Sequence, residues 1–194
     1  MNRFFLALAA ITLAASPASA HLAPGAHGSF LAGASHPLFG LDHVLAMVAV
    51  GLWAAMLGGR ALVLVPAAFV STMVIGFGLA MAGVGLPFVE PAILASVVVL
   101  GLGLVVAMSV RLPAAAGALL VGAFALFHGH AHGGELGTAA ALPYMAGFAI
   151  STALLHGAGL GLGVLATGVT GRIATRIAGG LTAALGLGLA VGAI

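Results

Sequence analysis

The chain has 194 residues, of which 63% are hydrophobic and only 4% are charged, and its mean hydropathy is +1.32. A water-soluble domain of this size cannot bury so large an apolar fraction, so the composition indicates an integral membrane protein. The five basic residues are arginines scattered singly, which argues against nucleic-acid binding, and the absence of cysteine excludes disulfides and thiolate metal sites.

The first 20 residues have the pattern of a secretory signal peptide. Arg3 supplies the positive n-region, the residues from Phe4 to Ala15 form the apolar region, and Ala18-Ser19-Ala20 has the small-x-small cleavage pattern. We expect cleavage after Ala20, and the alternative is an uncleaved first transmembrane helix. Residues 21–35 then form a short periplasmic segment, in which His21 either captures metal as the new N-terminus or belongs to a solvated tail.

Residues 36–194 are predicted to form an all-α bundle of six transmembrane helices. Each apolar stretch is near the roughly 20 residues that a helix needs to cross a bilayer. The 31 glycines favour close packing of such helices in lipid. The spans are expected at about Pro37–Leu57, Ala61–Gly83, Pro91–Val110, Pro113–His130, Ala140–Ala166 and Ile173–Ile194.

The arginines orient the predicted bundle in the membrane. With a cleaved signal the mature N-terminus is periplasmic, and an even number of spans returns the C-terminus to the same side. The inner loops are then expected to carry every arginine of the mature chain, as the positive-inside rule requires. These residues are Arg60, Arg111, Arg172 and Arg176.

The first candidate metal-binding group lies at the start of the first span. On a continuous helix His36 and His43 are seven residues apart and share a face, and Asp42 lies about 100° from His43. A carboxylate within a membrane segment is costly and therefore indicates function. Nitrogen and oxygen donors suit a divalent transition metal. The alternative is a polar helix cap in which Asp42 orients His43.

The second candidate group ends the fourth span. His128 and His132 have the i,i+4 spacing of one helix face, and His130 and Glu135 are further candidate ligands. Because the first span begins and the fourth ends at the outer face, the two groups are predicted to share one metal site there. The alternative is a histidine-rich loop that binds metal incidentally.

His156 lies in the fifth span, past the midplane toward the cytoplasm. It is either the next ligand that an inward-moving ion meets or a buried histidine bonded to a backbone carbonyl.

The stretch from His36 to Met47 reads His-Pro-x-x-Gly-x-Asp-His-x-Leu-Ala-Met. Together with the residues from Phe127 to Glu135 it resembles the HupE/UreJ family of bacterial membrane proteins, and the resemblance covers essentially the whole chain. Members of this family are regarded as nickel or cobalt permeases that serve hydrogenase or urease maturation. The resemblance implies a metal-site role for His36, Asp42, His43, His128, His130, His132 and Glu135.

These features predict a secondary transporter of the bacterial inner (cytoplasmic) membrane that imports Ni²⁺ or Co²⁺ through a His/Asp/Glu site at the periplasmic side. The ligands also suit Zn²⁺ and Cu²⁺. No Walker motif is present, and no ATPase partner is evident. We expect no enzymatic activity and no cofactor, and the expected partners are the metal ion, the lipid bilayer and at most further copies of the chain. The alternatives are an intramembrane metal-dependent hydrolase with Glu135 as general base, a haem-binding electron carrier, and a metal sensor that binds without transport.

Overall fold

The computed structural model describes residues 30–106, 112–136, 140–166 and 168–194. The predicted signal peptide, His21 and Arg111 lie outside these residues. The described part of the chain is helical and contains no strand. Its helices are α1 (Phe30–Phe39), α2 (Leu41–Leu57), α3 (Ala61–Met81), α4 (Val89–Val106), α5 (Ala114–Glu135), α6 (Ala141–Leu165) and α7 (Gly168–Ala190).

Five of the described helices, α3 to α7, are long and apolar enough to cross a membrane. Helices α1 and α2 pass the same test only together, and the chain bends by 85° between them. The described residues therefore hold five spans, or six when the bent pair is counted as one. The prediction of a multi-pass helical bundle is confirmed, and its sixth span depends on this bent pair.

The first predicted span, Pro37–Leu57, is not one continuous helix. Helix α1 ends at Phe39, Gly40 is extended (φ −87°, ψ 115°), and α2 begins at the next residue. A Cβ atom on Gly40 would lie 2.7 Å from His43 Nδ1 and 2.9 Å from Asp42 Oδ1. Any larger residue at this position would therefore displace these two side chains. The prediction that His36 and His43 share a face of one helix is therefore wrong, because the bend separates them.

Other boundaries also differ from the sequence-based prediction. The fourth predicted span ends at His130, whereas α5 continues to Glu135. The last six residues of the predicted 21–35 segment belong to α1, and the last helix begins at Gly168 rather than Ile173. Arg172 and Arg176 consequently lie in the first turns of α7 and not in a loop. A charged residue is tolerated at such a position because a helix end can reach the membrane interface.

Glycines bring three pairs of helices into backbone contact. In each pair, a Cβ atom on either glycine would collide with backbone of the partner helix. Small residues permit this close approach, which supplies van der Waals contact where lipid offers no hydrophobic driving force. The pairs are Gly51 and Gly159 (α2 and α6), Gly76 and Gly129 (α3 and α5), and Gly101 and Gly179 (α4 and α7).

The arginines and the candidate histidines lie at opposite ends of the bundle. Arg60 precedes α3, and Arg176 donates a hydrogen bond from Nε to the carbonyl oxygen of Val105, near the end of α4, at 3.1 Å. His43 lies near the start of α2 and His132 near the end of α5. One end is therefore basic and the other is rich in histidine.

Replacement of Gly159 by alanine is expected to lower the thermal unfolding midpoint in detergent, because the new Cβ would collide with the Val48 carbonyl of α2. Overpacking of this kind costs about 1–3 kcal/mol. The control is Gly161→Ala on the same helix, where no atom lies within 4 Å of the added Cβ. The control should unfold at or slightly above the original midpoint, and equal midpoints for the two variants would contradict this packing.

Candidate metal centre

Three buried histidines from three helices meet at the bend between α1 and α2. His36 comes from α1, His43 from α2 and His132 from α5. Each offers one ring nitrogen such that the three atoms lie within 4.8 Å of one another. Imidazole nitrogen is a good ligand for Ni²⁺, Co²⁺, Zn²⁺ and Cu²⁺, so these three histidines can hold a divalent transition metal. We call them the outer trio because the sequence predicts that this end of the bundle is the outer one.

The two ring nitrogens of His43 face different partners. Nδ1 lies 2.9 Å from Asp42 Oδ1, and Nε2 lies 2.6 Å from Nε2 of His132. The contact lacks hydrogen-bond geometry, but the negative charge of the carboxylate favours a proton on Nδ1, which leaves the lone pair of Nε2 directed into the trio. Such a carboxylate–histidine pair is the usual support of a metal-binding imidazole. Asp42 is not one of the three clustered donors, so its geometry fits the alternative in which it orients His43.

The bend at Gly40 is what allows the trio to form. A straight helix would carry His36 and His43 about 10 Å apart along its axis, since seven residues rise 1.5 Å each. In the bent pair the two imidazole rings have centroids 5.7 Å apart and meet edge to face. Helix α1 is held against α6 by close contacts of Gly33 with Tyr144 and of Gly147 with Phe30.

Aromatic side chains of α6 form one wall of the outer trio, and the sequence analysis did not identify them. The ring centroid of Phe148 lies 4.6 Å from that of His132 and 6.0 Å from that of His36. Tyr144 lies one turn away, with its ring 6.2 Å from both His36 and Phe148. The i,i+4 spacing of Tyr144 and Phe148, which places both rings on one face of a helix, is the sequence signal that could have identified them. The wall limits the water that can reach the histidines.

His128 lies one helical turn before His132 on α5 and is completely buried. The Ser96 hydroxyl donates a hydrogen bond to the Ile93 carbonyl at 2.6 Å, so its oxygen accepts from His128 Nε2 at 3.0 Å. This arrangement places the proton of His128 on Nε2 and leaves Nδ1 as a lone pair. The ring lies 5.4 Å from that of His43. His128 is therefore next to the trio without belonging to it.

Ser96 is a second residue that sequence reasoning missed. It is buried on α4, a helix that is otherwise almost entirely apolar. Nothing in its local pattern distinguishes it from a serine that only bonds to its own helix, as it also does here. Its contact with His128 depends on how α4 and α5 pack.

His130 does not join the cluster, contrary to the expectation from the motif. Its Nε2 donates a hydrogen bond to the Val84 carbonyl at 2.7 Å, between α3 and α4. Successive helical residues are rotated by about 100°, so a position midway between His128 and His132 points away from their shared face. Glu135 is the last residue of α5, and its side chain lies outside what the structure describes, as does His21.

His156 lies apart from the trio. Its side chain is 1% exposed and packs edge to face on Phe69, with ring centroids 4.8 Å apart. Neither of its ring nitrogens has a hydrogen-bond partner in the described part of the chain. The alternative in which this ring bonds to a backbone carbonyl is therefore not observed.

Comparison with known proteins agrees with the family resemblance that the sequence motifs indicate. A family model described as "HupE / UreJ protein" matches residues 8–189. Protein HupE of Rhizobium leguminosarum bv. viciae is 49% identical over 187 residues, which cover 95% of this chain and 95% of that protein. No solved structure matches the chain significantly.

Substitution of Asp42 by asparagine is expected to raise the Kd for Ni²⁺ by about 10–100-fold, which is typical when the support of a metal-binding imidazole is lost. Asparagine keeps the size of the side chain but lacks the charge that favours a proton on His43 Nδ1. Equilibrium dialysis of the purified protein with Ni²⁺ measures the effect. His130→Ala should bind as the parent chain does, and unchanged affinity in Asp42→Asn would contradict the orienting role.

Proposed function

The chain belongs to the HupE/UreJ protein family, and we propose that it is a secondary transporter that imports Ni²⁺ or Co²⁺ across the bacterial inner membrane. The observation that carries the proposal is the outer trio of His36, His43 and His132, which three helices bring together inside an apolar bundle. In a membrane segment a polar cluster of this kind is expensive, and it typically marks an ion pathway.

The chemistry of the trio suits a transported ion better than a permanently held one. Three neutral imidazoles replace part of the hydration shell and leave further coordination positions for water. A structural metal site, in contrast, is closed by four protein ligands. Transport requires binding strong enough for entry and weak enough for release, and an open set of neutral ligands meets both requirements.

The separation of charges in the bundle supports an inward direction of transport. The positive-inside rule places the end that carries Arg60, Arg172 and Arg176 in the cytoplasm. The outer trio then faces the periplasm, where it receives the ion before the ion crosses. The absence of a Walker motif in the sequence favours coupling to an ion gradient or to the membrane potential over ATP hydrolysis.

The choice of Ni²⁺ or Co²⁺ depends on the family resemblance. Imidazole ligands alone would accept Zn²⁺ and would favour Cu²⁺ on affinity. Selectivity must therefore come from coordination geometry in the loaded site. A metal sensor would use the same three ligands, so only transport itself separates the two functions.

Influx into proteoliposomes tests the proposal. We expect saturable uptake of Ni²⁺ or Co²⁺ by the parent chain, with Zn²⁺ and Mn²⁺ measured beside them. His43→Ala should abolish this uptake, because it removes one ligand of the trio. His130→Ala serves as the matched histidine control and should transport normally. Tight binding without uptake would support a sensor, and uptake that survives His43→Ala would place the pathway elsewhere.

Cysteine labelling tests the orientation. The chain has no cysteine, so a single introduced thiol reports one position without background. Gly85→Cys lies between α3 and α4 at the histidine end, in open space, and Leu112→Cys lies between α4 and α5 at the arginine end. A membrane-impermeant maleimide applied to intact cells should label Gly85→Cys and spare Leu112→Cys. The reverse pattern would contradict a periplasmic trio.

A further inference from the structure

His156 combines complete burial with two unpartnered ring nitrogens. The side chain is 1% exposed, and the described residues offer neither nitrogen a hydrogen bond. Buried polar groups in proteins are nearly always paired, and the penalty for leaving them unpaired is larger in lipid than in water. Packing alone does not require a histidine here, because the ring packs against Phe69, which offers no polar partner.

The position of His156 lies deeper in the bundle than the outer trio. Its backbone packs against Gly51 of α2. Along α6, Gly159 packs against Val48 and Gly163 packs against Ala55, so α6 and α2 run in the same direction. Gly51 follows His43 by eight residues, which is about 12 Å along the helix axis. His156 is therefore displaced from the trio toward the arginine end.

His128 lies between these two levels. Its ring is 5.4 Å from that of His43, and its Nδ1 carries the lone pair that the Ser96 contact leaves unprotonated. Phe69 packs against both His128 and His156. Its ring centroid lies 5.6 Å from that of His128 and 4.8 Å from that of His156. The imidazoles thus form a series that runs from the trio through His128 to His156, and Phe69 lies between the last two rings.

We propose that His156 is an inner coordination position for the transported ion, reached from the outer trio through His128. Each transfer exchanges one neutral imidazole ligand for another, so the charge of the ion and its ligands does not change. Several weak sites in series allow an ion to move on where one strong site would hold it. Phe69 must rotate for the ion to pass, because it packs against both rings. This inference depends on the proposed function.

Two variants at position 156 test whether His156 binds the ion or only packs against its neighbours. His156→Phe keeps an aromatic ring against Phe69 and removes both nitrogens, and His156→Ala removes the ring. We expect Ni²⁺ influx to fall by about 10–100-fold in both, which is typical of a lost metal contact. Ni²⁺ affinity at the outer trio should stay that of the parent chain. His130→Ala is the control and should show normal influx.

The outcomes of the influx experiment are distinct. Normal influx in a His156→Phe protein that elutes as a single species and binds Ni²⁺ at the trio would overturn the inner position. Absence of influx in the parent chain would instead overturn the proposed function. If His156→Ala does not fold, the phenylalanine variant alone decides, because it preserves the packing.

A spectroscopic experiment tests the position directly. His156→Cys introduces the sole thiol of the chain. Saturating Co²⁺ should then produce a near-ultraviolet sulfur-to-cobalt charge-transfer band, because thiolate is a ligand for soft transition metals. His130→Cys should produce no such band. Absence of the band in a His156→Cys protein that binds Co²⁺ at the trio would overturn the proposal.

Discussion

The contact between His43 and His132 is the interaction on which the candidate site depends. It joins the start of α2 to the end of α5 through two ring nitrogens 2.6 Å apart, inside a largely apolar bundle. Asp42 supports it from one side, and the aromatic wall of α6 encloses it from another. His36 completes the trio only because the chain bends at Gly40 and brings α1 alongside. In lipid, where water cannot satisfy a stray polar group, these groups must find partners in one another or in a ligand.

The glycine contacts explain how such a polar cluster is held in place. Helices that touch backbone to backbone have little freedom to slide, because a shift brings larger side chains into the crossing point. The Gly51–Gly159 contact sets the depth of His156 relative to α2, and the Gly76–Gly129 contact lies next to His128. The same small residues that pack the bundle therefore also determine the spacing between successive histidines.

Much of this organisation could be predicted from the sequence. Composition and hydropathy predicted a multi-pass helical protein, and the motif containing His36 and His43 identified two members of the trio. The bend was missed because the heptad spacing assumed a continuous helix, although Gly40 stands at the break and Pro37 lies in the last turn of the helix before it. His130 was grouped with its neighbours by proximity in the chain, and only helix rotation separates them. The contacts of Ser96 and Phe148 could not be predicted, because they depend on which helices become neighbours. The role of each histidine in binding metal stays a prediction.

The trio is assembled from parts of the chain that are made at different times. His132 follows His43 by 89 residues, so a chain that is still emerging from the ribosome carries the first two histidines long before the third. Insertion of α5 must therefore precede formation of the site. A partly inserted chain cannot chelate metal with the full set of ligands, and a truncated product of failed synthesis cannot either. The complete set of three neighbouring ring nitrogens is thus a property of the finished bundle and not of any segment of the chain.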